Sequence, residues 1–187
     1  MEVKIKNISF RQYVALEDRT LYDFYLEYGK IEPRDIFKLG SFMDKTFGFV
    51  KDIQFYFVYD KKGFTWSAFF EEMAKETGLT MLELTDRSIF QLNACMLYIK
   101  DQIETINNIE SDYLGHAPTP EQKAANIDRF NSYGPFLQFD ALAGGDLLKI
   151  DEIKKLPYSV CFTKLKLEAD RAEFQNDYNK IINDKTI

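Results

Sequence analysis

Residues 86–114, DRSIFQLNACMLYIKDQIETINNIESDYL, contain neither glycine nor proline, which favours one long uninterrupted helix. Apolar residues recur in it at alternating steps of three and four, the spacing of one face of an α-helix. The resulting stripe consists of Ile89, Leu92, Met96, Ile99, Ile103 and Ile106. It predicts a helix about 40 Å long that needs a partner helix, from this chain or from a neighbouring subunit. Glu110 occupies the next stripe position, so the pattern favours packing inside a bundle over a long autonomous coiled coil.

Capping and breaking residues predict further helices on both sides of this stretch. Starts are expected at Ser9, Thr20, Thr65, Thr80 and Thr119, and Gly29 and Gly78 are expected to end two of these helices. Thr119 gives the clearest start, because Pro120 suits the first helical position and Gln122 completes a capping box. Pro157 is expected to open a final helix that ends near Asn183. The fold class is therefore mainly α: a helical bundle with a long central helix and a long C-terminal helix.

The first 66 residues leave room for a small β-hairpin or sheet. Residues 3–6 alternate apolar and charged side chains, as a short half-buried strand does. Residues 52–59 are rich in aromatic and β-branched side chains and run into a good hairpin turn, Asp60-Lys61-Lys62-Gly63. We expect a helix through about Lys51, followed by either more helix or a strand.

Bulk composition indicates one globular domain over residues 1–187, since 45% of the residues are hydrophobic and 29% are charged. A boundary inside it, if the chain has one, is expected at 115–119. The net charge of −6 disfavours direct binding to nucleic acid, and no apolar run approaches the length of a membrane span. The first residues carry charges where a signal peptide needs an apolar stretch, so we expect the chain to fold in a cytoplasm. In that compartment Cys95 and Cys161 are expected to be reduced, buried thiols.

Residues that carry chemistry are scarce. The single histidine, His116, lies in the loop sequence Gly-His-Ala-Pro without ligands at metal-binding spacing. A Cys–His nucleophile is disfavoured because both cysteines fall in amphipathic helices, where a buried thiol is inert. Gly144-Gly145-Asp146 lacks the continuation of a phosphate-binding loop, and a tight turn with Asp146 as the next helix cap explains it. We therefore expect no catalytic residue, no metal site and no cofactor.

Acidic pairs give the one remaining route to catalysis, because neighbouring carboxylates can exchange protons or bind a divalent ion. Each pair is expected at a helix start or on an exposed helix face, where solvent and the helix dipole explain it. The pairs are Glu71/Glu72, Glu110/Asp112 and Asp151/Glu152.

Aromatic residues are abundant, with 17 Phe, 11 Tyr and one Trp. This number exceeds what one small core hides, and aromatic side chains are enriched at protein–protein interfaces. An extensive partner surface is therefore predicted. The candidate interface residues are Phe42, Phe55, Phe57, Tyr59, Phe64, Phe174 and Tyr178.

Two segments carry a resemblance to a known group of proteins. Residues 142–153, LAGGDLLKIDEI, are followed by Leu-Pro-Tyr-Ser and a charged terminal helix, and residues 47–54 read FGFVKDIQ. Together they resemble small proteins from the structural-gene cassettes of tailed bacteriophages of the crAss-like kind. Such cassettes encode portal-adjacent ring proteins, tail components, cargo proteins and tail-assembly chaperones. The resemblance covers roughly half of the chain and brings no catalytic residue with it.

The resemblance implies a non-enzymatic structural protein of a tailed-phage virion, a ring, collar or tail component near the portal. It implies a homo-oligomer that also contacts other virion proteins, assembled in the cytoplasm of the bacterial host. A tail-assembly chaperone that is absent from the mature particle is the first alternative. An enzyme built on carboxylates such as Glu110 or Glu71 is the second.

Overall fold

The computed structural model describes residues 5–58, 65–115 and 118–184, and these residues are mainly helical. Short 3-10 helices cover Phe42–Asp44, Ile127–Tyr133 and Leu147–Lys149. The predicted long central and C-terminal helices are confirmed as α6 and α10. The α-helices are α1 (Phe10–Val14), α2 (Thr20–Tyr28), α3 (Phe47–Val58), α4 (Trp66–Thr77), α5 (Met81–Thr85), α6 (Ile89–Leu114), α7 (Pro120–Ala124), α8 (Phe136–Ala143), α9 (Ile150–Lys155) and α10 (Tyr158–Asp184).

Most predicted helix boundaries are confirmed by their caps. Ser9, Thr80 and Thr119 each form a complete capping box, and Thr65 caps α4 through the N–H of Ala68. The helix that begins after Thr119 has only 5 residues. It ends at Ala124, and Asn126 takes a left-handed conformation with φ of 58° before a 3-10 helix continues the chain.

The predicted hairpin near the N-terminus is not seen, since the described part of the chain contains no strand, only isolated bridges at Ser9–Ser88 and Thr46–Pro157. The open alternative for residues 52–58 resolves as helix, because α3 runs to Val58. Val50 and Ile53 are both fully buried. Their spacing of three places them on one face of a helix, whereas a strand would turn one of them outward. Residues 3–4 and 59–63, which complete the predicted strand and turn, lie outside the described residues.

The chain divides into two compact units. Unit 1 comprises Met1–Ser41 and Tyr56–Glu104, and unit 2 comprises Phe42–Phe55 and Thr105–Ile187. Both α3 and α6 supply residues to each unit. These divisions do not coincide with the boundary anticipated at 115–119, and the single-domain organisation stays a prediction.

Unit 1 is held by aromatic packing around the start of α6. Ile8, Tyr13 and Ile89 form a buried cluster, and Phe10 lies against Trp66 and Phe70 with ring centroids 5.2 and 4.7 Å away. Two backbone hydrogen bonds fix this arrangement. The N–H of Phe10 donates to the carbonyl of Arg87 at 2.9 Å, and the N–H of Ile89 donates to that of Ile8 at 3.0 Å.

Unit 2 joins the start of α3 to the start of α10. The N–H of Phe47 donates to the carbonyl of Leu156, and the N–H of Tyr158 donates to that of Lys45, both at 2.7 Å. The Phe47 ring then packs edge-on against Phe139 and at 5.8 Å from Tyr158. Because all three rings are buried, this aromatic group forms the core around which the polar residues of unit 2 are arranged.

Candidate functional site

Unit 2 contains a buried polar cluster formed by three helices: Lys51 and Gln54 of α3, Asn107 and Glu110 of α6, and Tyr158 of α10. The Lys51 ammonium contacts a Glu110 carboxylate oxygen and donates to Gln54 Oε1 at 2.7 Å. Gln54 Nε2 donates to Asn107 Oδ1 at 2.5 Å and to Glu110 Oε2 at 3.0 Å. The Tyr158 hydroxyl donates to Glu110 Oε1 at 2.6 Å. Glu110 is thus the acceptor that the cluster shares.

Local sequence spacing explains how these side chains meet. Lys51 and Gln54 stand three residues apart on α3, as Asn107 and Glu110 do on α6, so each pair shares one helix face. Glu110 continues the apolar stripe of α6, four residues after Ile106. The expectation that Glu110 lies on an exposed helix face is wrong, since its side chain is only 13% exposed and that of Lys51 only 2%. The stripe position of Glu110 was the sequence signal for this burial, whereas nothing in the sequence marked Lys51.

Burial and the Glu110 carboxylate have opposite effects on the pKa of Lys51. Desolvation lowers the pKa of the Lys51 ammonium, and the charge and hydrogen bond of Glu110 counter that effect. The faces of Phe47 and Tyr158 lie 5.5 and 5.8 Å from Nζ, a distance that suits cation–π attraction. Burial, together with Glu110, raises the pKa of the Tyr158 hydroxyl, so it stays protonated and keeps donating. The cluster thus connects three helices, and its Lys51 side chain, only 2% exposed, is closed to a solute.

The other acidic pairs divide between surface and interior. Glu71, Asp112, Asp151 and Glu152 are exposed as expected. Glu72 departs from the expectation, because it is buried and takes Lys75 as its ion-pair partner at 2.6 Å. Glu72 lies on the inner side of α4 with Phe69 and Met73, and the exposed Lys75 brings its charge from the surface.

The two cysteines are free and buried, as predicted. Burial raises the pKa of Cys95 to about 12 and that of Cys161 to about 11, so both thiols are protonated at neutral pH. His116 lies outside the described residues. Within 5–58, 65–115 and 118–184, no three His, Cys, Asp or Glu side chains are grouped so as to hold a metal ion.

The predicted interface residues fall into four groups. Phe174 and Tyr178 lie on the surface of α10, with 68% and 48% of their area exposed, and Phe55 on α3 is exposed as well. Phe57 is half-buried. Phe42 is 1% exposed and packs against Phe49 in the core, which removes it from the candidates for a surface contact. The last two, Tyr59 and Phe64, lie outside the described residues.

The second half of α10 is exposed on all sides. Every residue from 170 to 183 is exposed. Phe174 and Tyr178 stack on each other here, and the exposed Leu167, Ile181 and Ile182 extend the apolar surface along the helix. Helical spacing alone predicts that Tyr178 and Ile181 lie on the inner face of the last helix, and this prediction is wrong because both side chains are exposed. We call residues Leu167, Phe174, Tyr178 and Ile181 the α10 stripe; their spacing of seven, four and three places them on one side.

Comparison with known proteins adds no assignment, since no protein-family model, curated protein or solved structure matches the chain. None of the helices in the described ranges combines the length and apolar character needed to cross a membrane.

Removing the Glu110 carboxylate should destabilise unit 2. Glu110→Leu strands the Lys51 ammonium in the interior, and we expect a loss of about 3–5 kcal/mol in the free energy of unfolding. In the double variant Lys51→Met/Glu110→Leu the stranded charge is absent, so more than about 1 kcal/mol should return. Urea unfolding measures both.

Glu104→Leu is the matched control, because Glu104 lies on the same helix with an exposed side chain. It should change the free energy of unfolding by no more than about 0.5 kcal/mol. Equal losses in the single and double Glu110 variants would contradict the coupling between Lys51 and Glu110.

Proposed function

We propose that the chain is a non-enzymatic structural subunit of a tailed-phage virion, a ring, collar or tail component near the portal. In this proposal it self-associates and contacts other virion proteins through apolar surface on its helices. The observation that carries the proposal is the exposed second half of α10, with Phe174 at its centre.

The physical cost of this surface supports a binding role. A helical segment of this length is marginal in water when no tertiary contact covers it. Apolar area left in water forgoes about 25 cal/mol per Å² that burial would provide. Covering the α10 stripe with a partner stabilises the helix and removes apolar area from water together. Assembly would therefore explain the exposed apolar surface of α10, which is unfavourable in a single copy.

The character of the interior polar groups also supports a structural role. Lys51, Glu110 and Tyr158 have the residue types of an acid–base site, yet their side-chain hydrogen bonds are made to one another and to Gln54. The cluster is better suited to holding helices together than to meeting a substrate, since Lys51 is buried.

Self-association should depend on the apolar side chains of α10. We expect sedimentation velocity to show an oligomer for the wild type, and the variant Phe174→Glu/Tyr178→Glu to sediment as a monomer, because charges cannot be buried in the contact without a partner. Asn176→Glu/Asn183→Glu adds the same charge at exposed polar positions of α10 and should assemble as the wild type does. A wild type that is monomeric at all concentrations, alone and mixed with virion proteins, would contradict the proposal.

Presence in the particle separates a virion component from an assembly chaperone. We expect mass spectrometry of purified virions to detect the chain at a stoichiometry comparable to other ring or tail proteins. Detection in infected cells and absence from purified particles would favour the tail-assembly chaperone and overturn the virion assignment.

A further inference from the structure

We infer that α10 is a composite helix with two parts of different stability. Residues 158–169 fold together with unit 2, whereas residues 170–183 have a helix–coil equilibrium of their own. In a single copy the second part unfolds and refolds while the core of unit 2 stays intact. The inference concerns one copy alone and does not depend on the proposed function. It makes the second part a conformational device, because its helix content responds to local changes that leave the core untouched.

The first part of α10 is anchored to the core of unit 2. Tyr158 is fully buried and Cys161 nearly so. The Phe162 ring stacks on Tyr158 and meets the Tyr113 ring of α6 edge-on, with centroid distances of 6.0 and 6.2 Å. Lys166 Nζ lies 4.1 Å from the centroid of the same Tyr113 ring. Unfolding this part of the helix would therefore break contacts with α6 and open the core.

The anchoring ends at Ala169, which is half-buried, because every residue from 170 to 183 is exposed. Side chains in the second part contact neighbours three or four residues away on the same helix. Each such pair favours the helix by only about twofold. The pairs are Lys180 with Asp177, Gln175 with Asn179 and Phe174 with Tyr178.

The sequence of the second part is poorly suited to a helix. In residues 176–183, NDYNKIIN, only Lys180 is a strong helix former. Asparagine and aspartate side chains compete for backbone hydrogen bonds, and tyrosine and isoleucine lose side-chain freedom in a helix. Each weak former lowers the equilibrium constant for extending a helix by about two- to threefold relative to alanine. Together the weak formers outweigh the local pairs, so the segment exchanges between helix and coil.

Substitutions at Asn176 and Asn183 test the inference, because both residues are exposed and stand two positions from a member of the α10 stripe. Residues two apart face different sides of a helix, so the stripe itself is unchanged. In dilute protein, the ratio of helix to coil in residues 176–183 should rise about fivefold in Asn176→Ala/Asn183→Ala. It should fall about threefold in Asn176→Gly/Asn183→Gly. Backbone carbon chemical shifts measure this ratio residue by residue.

Thr163→Gly is the matched control in the first part, where Thr163 is exposed and donates to the carbonyl of Ser159 at 2.8 Å. It should lower the urea midpoint of unit 2 and leave the helix–coil ratio of residues 176–183 as in the wild type. The two Asn176/Asn183 variants should do the reverse, changing the ratio and not the midpoint.

Two outcomes overturn the inference. One is a second part that is fully helical in the dilute wild type and in the glycine variant. The other is a urea midpoint that shifts with the Asn176/Asn183 variants as much as with Thr163→Gly, since α10 would then unfold as one unit with the core. A wild type that never associates contradicts the proposed function alone, because the helix–coil ratio is measured on single copies.

Discussion

Burial of the apolar face of α6 positions the helices that pack against it. Ile89, Leu92 and Ile99 are fully buried, and Ile103 and Ile106 nearly so. The face ends at Glu110, where the next buried position carries a charge and not a hydrocarbon. A buried carboxylate is stable only with partners, and Lys51, Gln54 and Tyr158 supply them. The apolar stripe and its charged end thus together determine what α3 and α10 must present to α6.

Local signals in the sequence predict the elements well and their environment less well. Capping residues mark helix starts because they satisfy backbone N–H groups within three residues, so Ser9, Thr80 and Thr119 needed no tertiary information. The aromatic and β-branched run of residues 52–58 illustrates the opposite case. Its β-propensity is outweighed by packing of α3, where Val50 and Ile53 are both buried on one helix face.

Burial of individual charged residues depends on contacts far apart in sequence, which is why Glu72 and Glu110 were expected on the surface. Lys51 and Glu110 are separated by 59 positions. The sequence does not predict the exposure of α10 for the same reason. Its apolar residues recur at helical spacing whether the covering surface belongs to the same chain or to another, so spacing alone places Tyr178 and Ile181 on an inner face. Only the fold shows that no element of unit 2 buries them.

We propose that the exposed aromatic side chains, those of α10 above all, serve adhesion between proteins. Hydrogen–deuterium exchange of the backbone amides in residues 170–183, followed as protein concentration is raised, tests it most directly. Because these amides belong to an exposed helix in a single copy, we expect fast exchange in dilute protein and strong protection in concentrated protein. Exchange that stays equally fast at every concentration, with virion proteins added or not, would contradict it.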